Sequence, residues 1–305
     1  MSQSPKSMTL SDWGLILALS IIWGGGFFFI VIILRDVPPN TMVFLRLAGA
    51  VPPLLLWLHF TGEPFPVDWK SWQSYLILGG MNVALPFILF AYGQVHISSG
   101  LASVLNATTP LWGVLVAHFL TSDEKATPAR VVGVIIGFAG VAVMLGGDLS
   151  AGSAAAVLAQ IACVGATLFY ALASIYARGM GNDGLSPMQI ATGQVCAAAL
   201  LMIPVVLMTE TPWTIAMPGG PALAAMLGLS LISTSLAYVL YFRLLASAGA
   251  TNSLLITFLI PVTAILLGVL FLGETMAPRQ IGGMLLIALG LVALDGRVFA
   301  RMRRR

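Results

Sequence analysis

Polar side chains recur at helical spacing inside stretches that are otherwise apolar, and any chemistry the chain performs would fall to them. Across residues 153–178, Gln160, Cys163, Thr167, Tyr170 and Ser174 advance in steps of three or four, which puts them on one face of a helix. Tyr75, Gly79, Asn82 and Pro86 do the same in 70–94, and Ser230, Thr234, Tyr238 and Tyr241 do so in 219–244. Ser103, Asn106 and Thr109 precede Gly113 in 97–120. Lipid offers such groups no hydrogen-bond partner, so they must face a cavity or another helix. Any single stripe is explained by interhelical packing. Four together favour a wet or ligand-filled centre.

The aromatic residues divide by depth. Trp13, Trp57, Trp69, Trp72 and Trp213 lie near the ends of apolar stretches, where an interfacial belt accounts for them. Trp23 and Trp112 do not, and with Tyr92, Tyr170 and Tyr238 they are candidates for an aromatic wall able to stack on apolar groups or attract an ammonium. Ordinary packing is the competing account of each. Pro110 and Pro261 each remove a helical hydrogen bond, leaving either a static kink or free carbonyls for a substrate amine or a gate. Gly24 permits close approach of a substrate or of a neighbouring helix. Arg46 is expected about 9 Å into its helix, from where its side chain snorkels to headgroups, makes a structural hydrogen bond or, in the sharper alternative, attracts a substrate carboxylate. Gln194 is its repeat counterpart.

Acidic residues are missing from the apolar stretches. All eleven Asp and Glu fall in loops or at span ends, so a proton-for-drug exchange on a buried carboxylate is disfavoured. Glu124 and Glu274 are expected to complement the helix dipoles at the starts of the fifth and tenth spans. Paired carboxylates are absent from the spans, and His59, His96 and His118 show no ligand spacing, so no metal, cofactor or reactive constellation is called for.

The elements that must position these residues follow from composition. Hydrophobic residues make up 59% of the 305 and charged ones 8%, against about 25% charged in soluble domains. The charges separate runs of roughly 20 residues, the length of a membrane-crossing helix. Ten spans are expected: 12–34, 40–59, 70–94, 97–120, 128–147, 153–178, 186–208, 219–244, 249–272 and 278–296. The first is too long for the apolar core of a cleaved signal, about 7 to 15 residues, and is read as retained.

Placing both termini in the cytoplasm puts eleven Lys and Arg inside and two outside, with Arg46 within a span. The terminal arginines read as an orientation signal and a contact for anionic lipid, not for nucleic acid. Residues recur at an offset near 150: Glu124, Pro128, Gly133 and Gly140 are matched by Glu274, Pro278, Gly283 and Gly290. The chain therefore reads as an all-α membrane protein of two units, 1–148 and 149–305. Five spans per unit, an odd number, require the second unit to insert inverted, as in secondary carriers.

Trp23 and Gly24 with the following glycines, Arg46 after Phe44 and Leu45, the serines and Gly100 leading to Pro110, and a glutamate repeated before a Gly-rich helix resemble the EamA-type drug/metabolite transporters. The resemblance spans essentially the whole chain and appears twice. It implies a bacterial inner-membrane exporter or facilitator of small neutral or zwitterionic metabolites such as amino acids, with a central cavity and, as an option, a homodimeric assembly. The expected substrate-binding residues are Trp23, Tyr75, Asn82, Tyr92, Asn106, Thr109, Trp112, Thr167, Tyr170, Thr234 and Tyr238, with Gly24, Pro110 and Pro261 for kinking or gating. Export of drugs or organic cations is the alternative within transport. A structural membrane protein and an intramembrane enzyme are alternatives outside it.

Overall fold

A computed structural model describes residues 8–121, 125–150, 153–182, 184–253 and 255–295. Among them the regular structure is helical, with no strand. Glu124, Arg297 and the terminal arginines lie outside the described residues.

Among the described residues nine helices are long and apolar enough to cross a membrane: α1 (Leu10–Ile33), α2 (Pro39–Thr61), α3 (Trp69–Gln94), α4 (Ser99–Leu120), α5 (Pro128–Ser150), α6 (Ala154–Asn182), α7 (Pro187–Thr209), α8 (Gly220–Ala248) and α9 (Leu255–Leu272). A tenth, α10 (Pro278–Asp295), is shorter. Local chemistry fixes several starts. Thr9 and Asp12 form a reciprocal capping box at α1, and Ser186 and Gln189 form another at α7. Asp68 caps α3 by accepting from the Ser71 N–H and hydroxyl at 3.0 and 2.7 Å, and these bonds hold its carboxyl below its ordinary pKa.

Two irregularities shape the interior. Both α3 and α8 carry a π-helical stretch, over Gly80–Ala84 and Gly228–Leu236. In α8 the Thr234 and Ser235 hydroxyls reach back five residues, to the Leu229 and Ser230 carbonyls at 2.9 and 3.1 Å. One extra residue per turn swings everything after it by roughly 100°. The other irregularity is in α4, which breaks at Ala107 and Thr108 just before Pro110.

Close approaches assemble the bundle. Helices α5 and α10 pack with backbones almost in contact: a Cβ on Gly133 would lie 2.7 Å from the Gly290 carbonyl, and one on Gly290 2.6 Å from that of Gly133. Gly140 and Gly283 are opposed in the same reciprocal way. Helix α2 packs on α7, α1 on α9, α3 on α6 and α1 on α8. At Gly24 a Cβ would meet the Ile260 carbonyl at 2.9 Å and Thr263 Cβ at 2.6 Å, so this glycine serves the crossing of α1 and α9.

Carboxylates in loops tie helix ends across the chain. Glu210 accepts from the Asn40 and Thr41 N–H groups at 2.9 and 2.7 Å, and Ser186 Oγ donates to Glu63. Glu274 does not serve its own helix, as the sequence suggests. It accepts from Ser99 N–H and Oγ, both at 2.8 Å, and from Gly100 N–H at 3.2 Å, covering orphan donors at the start of α4. That bond holds the start of α4 against the end of α9, where Gly100 meets Ile265.

Candidate functional site

Beyond this tie α4 and α9 part around a central cavity of about 450 Å³. Asn106, Thr109, Pro110 and Gly113 line it from α4, and Ser253, Ile256, Thr257 and Ile260 from α9 and the turn before it. Helix α1 gives Trp23, Gly26, Phe27 and Ile30, and α6 gives Tyr170, Ala171 and Ser174. The π-bearing helices supply Asn82, Phe87 and Phe90 from α3 and Ser233, Thr234, Tyr238 and Tyr241 from α8.

Arg46, from α2, enters the same space. The headgroup-directed course expected for it is not observed. Its Nε donates to Thr234 Oγ1 at 2.9 Å, and its Cζ sits 3.7 Å from the centre of the Phe87 ring. The ring face turned toward the guanidinium is the electron-rich one, so the stacking is attractive. A guanidinium carries five N–H donors. The Thr234 bond uses one, and among the described residues no acceptor engages the two terminal nitrogens of this cavity-lining side chain. No Asp or Glu is on the wall among the described residues. Tyr170 and Tyr238 share the cavity wall with Arg46.

An amide chain backs this corner. Asn82 Nδ2 donates to Gln194 Oε1 at 2.8 Å, and Gln194 Nε2 approaches the Tyr238 hydroxyl at 3.4 Å, a long contact. Phe27 meets Phe90 edge-on with centroids 5.5 Å apart, and Trp23 lies 5.5 Å from Tyr241. The cavity is thus apolar and aromatic over most of its wall, with one cationic corner.

Of the residues expected from the sequence, Trp23, Asn82, Asn106, Thr109, Pro110, Tyr170, Thr234 and Tyr238 are brought together here. Four others are not. Tyr75 is fully buried against Gly193, Phe65 and Trp72; like Asn82, which bonds Gln194, it faces α7, but it lies earlier along α3 and away from the cavity. Thr167 bonds Thr108 at 3.0 Å, since the upper half of the α6 stripe packs on α4. The same half buries Cys163 against Gly93 of α3. Tyr92 sits at the end of α3 and accepts from Asn40 Nδ2 at 3.0 Å. Trp112 meets the Phe138 ring edge-on, with centroids 4.8 Å apart, and is not among the residues lining the cavity.

Gly24 and Pro261 lie at the crossing of α1 and α9 and do not line the cavity. Helix α9 continues through Pro261. At the α4 break the Thr108 and Thr109 hydroxyls satisfy the Leu105 and Asn106 carbonyls at 2.7 and 2.8 Å, so these carbonyls are not left for a substrate amine. Sequence reasoning missed Phe27, Phe87, Phe90 and Ile256 from the wall. No polar signal marks them, and their spacing is that of any apolar helix. No group of metal-ligating side chains exists among the described residues.

The model of the EamA-like transporter family matches the chain twice, over residues 12–146 and 157–294. The uncharacterized transporter YvbV of Bacillus subtilis (strain 168) is 28% identical over 306 residues, covering 97% of this chain and 94% of the relative. The uncharacterized inner membrane transporter YedA of Escherichia coli (strain K12) is 27% identical over 300 residues, covering 94% and 92%. Protein PecM of Dickeya dadantii (strain 3937) is 24% identical over 271 residues, covering 88% of each. A solved crystal structure, 18% identical, superposes with a TM-score of 0.66 over 93% of this chain and 96% of its own, a likeness of fold.

Proposed function

Because the chain belongs to the EamA-like transporter family, we propose that it carries small carboxylate-bearing metabolites, amino acids among them, across a bacterial inner membrane by alternating access to the Arg46 cavity. The observation that carries this reading is the guanidinium itself: the one Lys or Arg on a mostly apolar and aromatic wall, with no carboxylate beside it among the described residues. A carboxylate accepts such a fork through two parallel bonds. At about 4 Å and an effective dielectric near 20, the attraction is on the order of 4 kcal/mol before desolvation. Phe27, Phe87 and Phe90 suit an apolar body beyond that headgroup.

The same charge weighs against export of organic cations. A cation about 6 Å from Arg46 would be repelled by roughly 3 kcal/mol at the same dielectric. An enzymatic reading has no support in the cavity's chemistry, since the wall offers no paired acids or activated nucleophile.

In this reading all ten helices cross the bilayer as two inverted units of five. The double family match and the reciprocal glycine pairs of α5 and α10 support that arrangement. So do the π stretches at equivalent places in α3 and α8. The Lys and Arg distribution supports cytoplasmic termini, which sets the Ser99 end of α4 on the outer side.

The test is counterflow in proteoliposomes with labelled leucine, labelled 4-methyl-2-oxopentanoate and a cationic dye. Uptake of either carboxylate is expected, falling at least tenfold in Arg46→Gln with expression intact. Dye flux without carboxylate flux would reject the assignment.

A further inference from the structure

The charge that recognises the ligand also bears on how the carrier returns. Alternating access requires a state in which the cavity is shut at both ends and bulk water has left it. In that state an unliganded Arg46 would keep one hydrogen bond, to Thr234 at 2.9 Å, and one ring face, that of Phe87 at 3.7 Å. The other acceptors on the wall, among them Asn82, Asn106 and the hydroxyls of Tyr170 and Tyr238, are neutral and offset no charge. A buried cation without a counter-ion is among the costliest arrangements in a low-dielectric interior, whereas a paired one is tolerated. The wall holds no Asp or Glu among its described residues to act as a resident partner, and the nearby Tyr170 and Tyr238 bring hydroxyls, not charge.

We propose that the carboxylate ligand is the counter-ion that allows the cavity to occlude, so the protein works as an exchanger: it changes face readily when loaded with a carboxylate and poorly when empty. This rests on the carboxylate reading of the cavity given above. No covalent or redox step is involved. One carboxylate leaves on one side only as another is picked up there for the return, and Arg46 keeps its proton throughout.

The experiment uses the full-length protein in liposomes loaded with labelled leucine or labelled 4-methyl-2-oxopentanoate. Efflux is measured into buffer with chloride as the sole anion and into the same buffer holding the unlabelled compound. Exchange is expected to exceed net efflux at least tenfold. In Arg46→Gln the ratio should fall toward one, because a neutral cavity closes empty, while Arg46→Lys should keep a high ratio.

Equal rates in the two buffers for the native protein, with flux still dependent on Arg46, would overturn the exchange inference and leave the carboxylate reading standing. Failure of both carboxylates to move in either buffer while a cationic dye moves would overturn the two together. Should Arg46→Gln prove inactive, the ratio in the native protein still decides.

Discussion

Arg46 shows how a residue's meaning depends on what lies opposite it. Its depth in α2 is readable from the sequence, and so is the choice between headgroup and carboxylate. The deciding partner, Thr234, is 188 positions away. Thr234 aims the guanidinium by holding Nε, and its own proton goes to the Leu229 carbonyl at 2.9 Å, leaving the oxygen free to accept. Thr234→Val removes that acceptor while preserving shape, and hydrogen bonds to charged groups are worth about 1.5–3 kcal/mol. The half-saturating concentration for leucine or its oxo acid is expected to rise roughly tenfold, equivalent to about 1.4 kcal/mol. Concentration-dependent counterflow reads it, and an unchanged value would release Thr234 from an orienting role. The eight cavity residues legible in the sequence were those whose polarity has no purpose in lipid. Thr167 and Tyr75 look the same by that criterion. They fail it because burial need not mean a cavity: Thr167 is satisfied by Thr108, and the Tyr75 ring packs against Gly193 of α7 with its hydroxyl unbonded, and one sequence does not say which helix faces which.

At the scale of elements, the spans and their order were legible because apolar runs and charge clusters alternate at the length a bilayer demands. The interruptions within spans were not. A π turn needs no special residue, so nothing in Gly80–Ala84 or Gly228–Leu236 announces one. The ends of helices differ in what fixes them: Ser186 and Gln189 cap α7 locally, whereas the role of Glu274 depends on a helix far away in sequence. Its carboxylate satisfies two backbone N–H groups of α4 and one hydroxyl, and so ties α4 to α9 beside the cavity. Glu274→Ala leaves those donors without their acceptor, at a cost of about 1–3 kcal/mol. Glu274→Gln, which keeps one acceptor oxygen, should lose less. The measurement is the thermal unfolding midpoint in detergent, expected in the order native, Gln, Ala. Equal midpoints would mean that the tie contributes nothing to holding α4 on α9.

For the molecule as a whole, the repeat in the sequence and the contacts in space are two expressions of one arrangement. Gly133 and Gly140 match Gly283 and Gly290 at an offset of about 150 residues, and each touches the mate of the other: 133 meets 290, and 140 meets 283. Reciprocal contact between equivalent surfaces is what a two-fold relation produces, and the inverted arrangement proposed above calls for one between halves of one chain. The sequence displayed the repeated glycines but not that they touch, since spacing carries no information about which helix faces which. Because backbone meets backbone, no side chain can yield to a new Cβ. Gly133→Ile and Gly290→Ile should each push α5 and α10 apart and destabilise the protein by several kcal/mol, within the ~1–3 kcal/mol typical of overpacking or beyond it. Once either substitution has opened the contact, the second finds the space already made, so the double variant should cost clearly less than the two singles summed. Neighbouring sites couple in this way, whereas distant ones add within about 0.3–0.5 kcal/mol. Thermal unfolding of the four proteins in one detergent closes the cycle. Strict additivity would show that the two glycines do not share a contact, and the two-fold pairing of α5 with α10 would have to be given up.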